Sequence, residues 1–313
     1  MIIMNQLPIT TVLPDSFLDE ECRCDYNVSS KLKAIWAVEI DLLIHFDEVC
    51  KKYNINYCVY AGSLLGAIRH KGFVPWDDDM DVCLDRENFQ KLLDVPQSEF
   101  KSPYFLQTAF NDREYFTAYA RFRNSKTTGI ITNNISENYN NGIYIDVFVL
   151  DGYIEDEELF AKQSKERSKC QLHLNNYYSK LIERKGVLRK IKYKGIQLFD
   201  HCIISYDNLI QKHNNIISRY NDCTNRVTLM THGGFFQKRY WCDKNDLKDL
   251  VDVPFEFIKV PVPRNYDEIL HHMYGDYMTF PPIEERGKWH DGQLIMEPYI
   301  PYDEYIRSMN DAK

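Results

Sequence analysis

No stretch of this 313-residue chain approaches the roughly 18 consecutive apolar residues needed to cross a bilayer. Its opening residues, MIIMNQLPITTVLPD, lack the basic start and long apolar core of a signal peptide. Repeats and low-complexity tracts are absent. No two of the nine cysteines stand in C-x-x-C spacing, which argues against a zinc ribbon. Their odd number and scatter argue against a disulfide framework, so a reducing compartment fits best. Cys22 and Cys24 form a lone C-x-C that reads as ordinary thiols before it reads as a metal site. Positive charge is also short: 38 Lys and Arg stand against 46 Asp and Glu, a net charge of −8, so no nucleic-acid partner is expected. These absences point to a cytoplasmic protein, at most peripheral to a membrane. Composition, 44% hydrophobic and 27% charged, is that of an ordinary globular protein, so disorder is not the default reading.

Hydrophobic periodicity organises what is there. Over residues 30–53, Ile35, Val38, Leu42, Phe46, Val49 and Tyr53 recur every three or four positions and predict an amphipathic helix. Ser29 or Ser30 can cap it, and Asn54 can help end it. NYCVYAGS reads as a strand and a turn at Gly62, SLLGAIRH as a short helix, and MDVCL as a second strand. Asp85 can cap a helix through Leu93. YFTAYARFRN and GIYIDVFVLDG read as further strands, the latter bounded by Gly142 and Gly152. From Glu155 to about Asn221, Gly and Pro become rare and two or three helices are expected. Within that region, ERKGVLRKIKYKGIQLF mixes basic with apolar residues. A solvated basic face is the plainer reading; the other is a helix lying on an anionic membrane surface. After residue 226 the chain turns aromatic, Pro-rich and loop-rich. Four segments follow: an N-terminal extension (1–29), a core (30–154), a helical region (155–225) and a C-terminal segment (226–313).

Charge placement supplies the chemistry. In WDDDMDV, a strand beginning near Asp79 puts Asp79 and Asp81 on one face, with Met80 and Val82 toward the core. Asp78 then points away, and Asp77 has the right parity but lies close to Pro75. Like charges stacked in this way destabilise a sheet unless a cation offsets them. Asp146 is a single carboxylate in the middle of the apolar strand YIDVF, which is expensive unless it is paired or bound to metal. If the two strands neighbour each other, Asp79, Asp81 and Asp146 converge on a hard divalent cation, Mg²⁺ or Mn²⁺, for which all-oxygen ligation is suited. The alternative is that these acids cap helices or pair with Arg69, Lys71 or Arg121. Gly62 and Ser63 precede the cluster at a strand-to-helix turn, where close backbone approach and a helix N-terminus suit phosphate.

This order of parts resembles the nucleotidyltransferase fold: an α/β (α+β) architecture in which a mixed sheet is flanked by helices, here with an added helical region and a loop-rich C-terminal segment. YAGSLLGAIRHKGFVPWDDDMDV is similar to the signature of the LicD family, which is related to the fukutin-type ribitol-phosphate transferases. GIYIDVFVLDG and HMYGDYMTFPPIEERGKWHD resemble later blocks of that family in the same order. The resemblance implies that Gly62 and Ser63 hold phosphates and that Asp79, Asp81 and Asp146 hold Mg²⁺. Arg69, His70 and Lys71, and Arg286 and His290, are weaker substrate-contact candidates. It also implies transfer of phosphocholine, or a similar phospho-alcohol, from a CDP-activated donor such as CDP-choline. The acceptor is a hydroxyl of a cell-surface glycan (teichoic acid, capsule or lipopolysaccharide precursor), free or lipid-linked, and CMP leaves. A choline head group needs aromatic faces, for which Trp76 and Trp289 are the first candidates. A nucleotidyltransferase acting on a small molecule and a metal-dependent glycosyltransferase remain as alternatives.

Overall fold

The computed structural model describes residues 6–132, 139–178, 186–287 and 294–311. A hairpin of β1 (Glu21–Arg23) and β2 (Tyr26–Val28) leads into helix α1 (Ser30–Lys52). The Ser29 hydroxyl oxygen accepts from the Leu32 N–H and caps the helix; Lys51 and Lys52 occupy the last turn, where cations suit the carbonyl end. Of the expected stripe, Ile35, Val38, Leu42 and Phe46 are buried, while Val49 and Tyr53 are half-buried. Burial also runs almost all the way round between Lys33 and Leu43, because α1 is packed against the sheet while Leu7 and Phe17 join the same core.

Next come β3 (Cys58–Val59), α2 (Ala61–Arg69), β4 (Asp81–Asp85) and α3 (Arg86–Leu93), the last capped by Asp85 accepting from the Asn88 N–H. Strands β5 (Tyr104–Gln107), β6 (Ala120–Asn124), β7 (Thr128–Ile131) and β8 (Ile143–Gly152) follow. Three helices fill the next region: α4 (Glu157–Tyr177), α5 (Val187–Ile203) and α6 (Tyr206–Ile217). The remaining elements are β9 (Arg226–Thr228), α7 (Gly234–Arg239), β10 (Trp241–Asp243), the β11–β12 hairpin (Leu250–Phe255, Ile258–Pro263), α8 (Tyr266–Tyr274), β13 (Leu294–Glu297) and α9 (Tyr302–Asp311).

Strand β8 is the axis of a mixed seven-stranded sheet. Parallel β4 runs along one edge, with β3 antiparallel beyond it. On the other edge β6 pairs with the first half of β8, with β5 beyond, and β9 pairs with its last two residues, with β10 beyond. A strand with neighbours on both edges and helices packed on it reads as a continuous apolar run. All residues of β8 are buried except Asp146. The strand itself begins at Asp81, two residues after the Asp79 start that the sequence suggested. The strand expected over 115–124 shrinks to Ala120–Asn124. Upstream, the Thr117 hydroxyl donates to the Tyr119 carbonyl, a local bond that competes with sheet pairing.

Asp151, near the end of β8, is fully buried. Arg86 donates through Nε to its Oδ1 at 2.9 Å and through Nη2 to its Oδ2, and Asn221 donates to Oδ1 at 2.9 Å. Removing one partner of a buried ion pair strands the other charge. Arg86→Ala is therefore expected to cost about 3–5 kcal/mol, against about 1 kcal/mol for loss of the neighbouring cap in Asp85→Ala. Urea denaturation of the two variants separates these costs, and equal losses would rule out an uncompensated Asp151.

Candidate active site

The pairing of β4 with β8 places Asp81 directly opposite Asp146. Adjacent strands lie about 4.8 Å apart, and the Asp146 N–H donates to the Met80 carbonyl at 2.9 Å. On its other side β4 is tied to α2: the Ser63 hydroxyl oxygen accepts from the Asp81 N–H at 2.8 Å, and the Tyr60 N–H donates to the Asp81 carbonyl at 3.0 Å. Between them the chain turns through Ala61, whose φ of 47° is a left-handed conformation that a non-glycine residue adopts only under constraint. Gly62 comes next. A Cβ there would lie 2.8 Å from Asp77 Oδ2, so the missing side chain is what lets that carboxylate approach the backbone. Helix α1 pins the acidic segment from below. Trp36 donates from its indole nitrogen to the Asp77 carbonyl at 2.9 Å and stacks on Phe73 at 4.7 Å.

The cluster is larger than the sequence suggested. Glu39, on the buried side of α1, has no exposed surface, and neither carboxylate oxygen has a hydrogen-bond partner. Burial raises its pKa well above the ordinary carboxylate value, and Asp78, Asp77, Asp81 and Asp146 push it further. Asp79, itself partly buried, is raised well above its usual range by burial and then by Asp77, Asp81, Glu39 and Asp78. Asp146 is balanced from β6. Arg121 stands opposite it in register and donates from Nε to Asp146 Oδ1 at 2.6 Å. The Arg121 guanidinium lies 4.0 Å from the Tyr144 ring centroid, which fixes it over an aromatic face. Pairing with Arg121, one of the structural alternatives for these acids, therefore does occur at Asp146. Glu39 went unnoticed although a signal was present: a carboxylate between Val38 and Ile40 on a helix otherwise apolar along that side.

These donors are all hard oxygens, and their mutual repulsion is what a divalent cation relieves. Asp79 and Asp81 are residues that could hold one, while Asp146 is paired with Arg121. Among the described residues no group of three or more His, Cys, Asp or Glu stands as a ready-made metal shell.

The basic and aromatic candidates form a second cluster at the C-terminal end of α2. Arg69 donates to the carbonyls of Tyr277 (2.6 Å) and Thr279 (3.4 Å) and, through Nε, to His70 Nε2 (2.9 Å). His70 stacks on Phe280 at 5.4 Å; burial, then Arg69, Arg23 and Arg286, hold its pKa down at about 4, so it is neutral at physiological pH. Trp76 is covered by the Arg286 guanidinium, 4.7 Å from its centroid, and Arg286 also donates to the carbonyls of Pro281 (3.0 Å) and Cys24 (2.7 Å). Lys71 is exposed, with a φ of 55°, and its carbonyl accepts from the Glu256 N–H. Glu256 in turn holds Arg23 bidentately at 2.6 and 2.9 Å. Trp289 and His290 lie outside the described residues. Arg69, His70, Trp76 and Arg286 thus meet one another, joined to the 275–287 segment, while Gly62 and Ser63 meet the acids.

A mixed sheet with Gly-Ser at the start of a helix and carboxylates on adjacent parallel strands defines a nucleotidyltransferase-like domain. Residues 54–165 match the family model described as "LicD/FKTN/FKRP, nucleotidyltransferase domain". It is 29% identical over 262 residues to "Lipopolysaccharide cholinephosphotransferase LicD" of Haemophilus influenzae, an alignment covering 83% of this chain and 95% of that protein. It is also 31% identical over 150 residues to an uncharacterized protein of Rickettsia prowazekii, covering 45% of this chain and 50% of the other.

Glu39→Gln removes a buried titratable carboxyl group and keeps the shape. A carboxyl whose folded-state pKa is raised holds its proton more tightly when folded, so its contribution to stability falls as pH rises above the ordinary value of 4.5. Without divalent cation, the variant is therefore expected to melt above wild type at pH 7, with the difference vanishing as pH falls toward 4.5. Thermal melts across that range in the presence of a chelator check this; a wild-type advantage at pH 7 would contradict the electrostatic account.

Proposed function

We propose that this chain transfers phosphocholine from a CDP-activated donor, with CDP-choline the first choice, to a hydroxyl of a lipopolysaccharide-type glycan. The observation that carries this reading is the carboxylate cluster stitched to Ser63 at the head of α2: a surplus of negative charge beside a hydroxyl and helix N–H groups, which suits a cation–diphosphate substrate. The head group comes from the similarity to the Haemophilus cholinephosphotransferase, which runs through nearly all of that protein. In the reaction the glycan oxygen bonds to the choline-bearing phosphorus, the bond from that phosphorus to the CMP oxygen breaks, and CMP leaves. Mg²⁺ at Asp79 and Asp81 would neutralise charge building on the leaving phosphate. Ser63 keeps its hydroxyl proton for a phosphate oxygen while its oxygen holds the Asp81 N–H. Arg121 occupies one Asp146 oxygen and leaves the second to face the cation or to receive the proton of the attacking hydroxyl.

A second reading has its own support in the family domain's description as a nucleotidyltransferase: attack at the nucleotide phosphorus, leaving the nucleotide on the acceptor. Product analysis distinguishes the two. Free CMP with a choline-phosphate-bearing glycan supports the first, and nucleotide-labelled acceptor from CTP supports the second.

Asp79→Asn and Asp81→Asn are each expected to lower CMP release by at least about a hundredfold while the melting temperature without cation holds or rises. CDP-choline with Mg²⁺ should raise the melting temperature of wild type with increasing ligand, and CDP-ethanolamine, CDP-glycerol and CDP-ribitol should do so less. Undiminished turnover in both variants would remove the carboxylates from the mechanism. A larger shift with another CDP-alcohol would reassign the head group.

A further inference from the structure

Helix α5 is packed inside out. Its face against the protein is polar: Asp200 accepts from the His173 ring at 2.8 Å, and the Gln197 amide donates to the carbonyls of Asn176 (3.1 Å) and Tyr177 (2.9 Å). Asn176, buried on α4, donates to the Tyr193 carbonyl at 2.9 Å. Gln197 and Asp200 are the buried residues of α5. The opposite face is apolar and bare, with Val187, Leu188, Ile191, Leu198, Phe199 and Ile203 exposed between 55% and 84%. At 3.6 residues per turn these six fall on one side of the helix. Lys190 and Lys194 border that side on one flank and Arg189 on the other; Lys192 falls between Phe199 and Ile203, and the Lys194 ammonium donates to Gln197 Oε1 at 3.1 Å. Among the described residues none of these four makes an ion pair, and the one acid of the helix, Asp200, is turned inward. Phe199 and Ile203 also wall a groove of about 1000 Å³ between α4, α5 and α6, lined below by Leu209 and Ile216. By contrast, α6 buries its apolar residues Leu209, Ile210, Ile216 and Ile217 in the ordinary way.

We propose that α5 is a membrane-docking helix that lies in the interface of a bilayer containing anionic lipids. Bare apolar side chains concentrated on one helix face are rare on a water-exposed surface and mark an interaction site. The basic flanks say which kind. Lys and Arg on both sides of an apolar face extend their charged ends toward anionic headgroups while the apolar side chains enter the acyl boundary. A second copy of the chain seated on the same face would instead bring two sets of basic flanks together. The chain as a whole carries −8, so this basic stretch does not reflect a basic protein. No helix of the described residues is long and apolar enough to cross the membrane, which leaves lying on it. The proposal stands apart from the proposed reaction, since it is read from lipid binding without substrate.

Flotation of the full chain with vesicles of phosphatidylcholine alone, or in equimolar mixture with phosphatidylglycerol, tests this. Wild type should bind the anionic vesicles roughly tenfold or more tightly than the neutral ones, and high salt should weaken that binding. Ile191→Gln with Phe199→Gln, both at exposed positions, should keep the far-ultraviolet circular dichroism and lose vesicle binding. Lys190→Glu with Lys194→Glu should lose the preference for anionic lipid. Failure of wild type to float with anionic vesicles, or unaltered flotation of the Gln variant, would overturn the proposal. So would light scattering that shows a dimer which the Gln variant dissociates, because a second copy would then cover the face.

Discussion

Repulsion between carboxylates is the constraint around which this structure is built. One parallel strand pair sets Asp81 against Asp146, and one loop adds Asp77, Asp78 and Asp79 to the same region. Helix α1 then buries Glu39 beneath them with no hydrogen-bond partner. Nothing about folding alone calls for such an arrangement, since each added charge raises the cost of its neighbours. The surrounding parts hold it in place: Trp36 clamps the acidic loop, the Ser63 hydroxyl holds the start of β4, and Arg121 meets Asp146. The acidic site is thus braced on three sides.

Much of this was legible in the sequence because the signals were local. Alternating acids before a β-branched run, and a lone Asp in an apolar strand, each posed an electrostatic problem with few solutions. Asp85 as a cap and Ile35, Val38, Leu42 and Phe46 as a buried stripe followed from period and chemistry alone. What was missed depended on tertiary placement. Glu39 looks like one charge on a long helix until the acidic loop is folded over it. The start of β4 at Asp81 depends on where β8 offers hydrogen-bonding partners, which no local propensity encodes. Arg69, Trp76 and Arg286 were expected as separate ligand contacts. Their mutual stacking arises only when the 275–287 segment returns to α2.

Helix α5 shows the opposite case. Its mixture of Lys, Arg and large apolar residues fits either a packed helix with a solvated basic face or a surface helix. Sequence pattern cannot choose between them, because the pattern does not say which side meets the protein. Polar contacts from His173 and Asn176 on α4 fix the polar side of the helix against the protein.

The ties among Arg23, Cys24, Glu256 and Arg286 carry one more consequence. Arg286 reaches the Cys24 carbonyl across 262 positions, and Arg23 reaches Glu256 across 233. Contacts of such separation are slow to form, because a long loop must close before they contribute. During synthesis on the ribosome, the hairpin that precedes α1 must wait without its final partners while more than two hundred residues emerge. The cluster of Arg69, His70 and Trp76 therefore forms late, after the acidic strand and its neighbours have emerged, and a nascent chain does not acquire the finished site piecemeal.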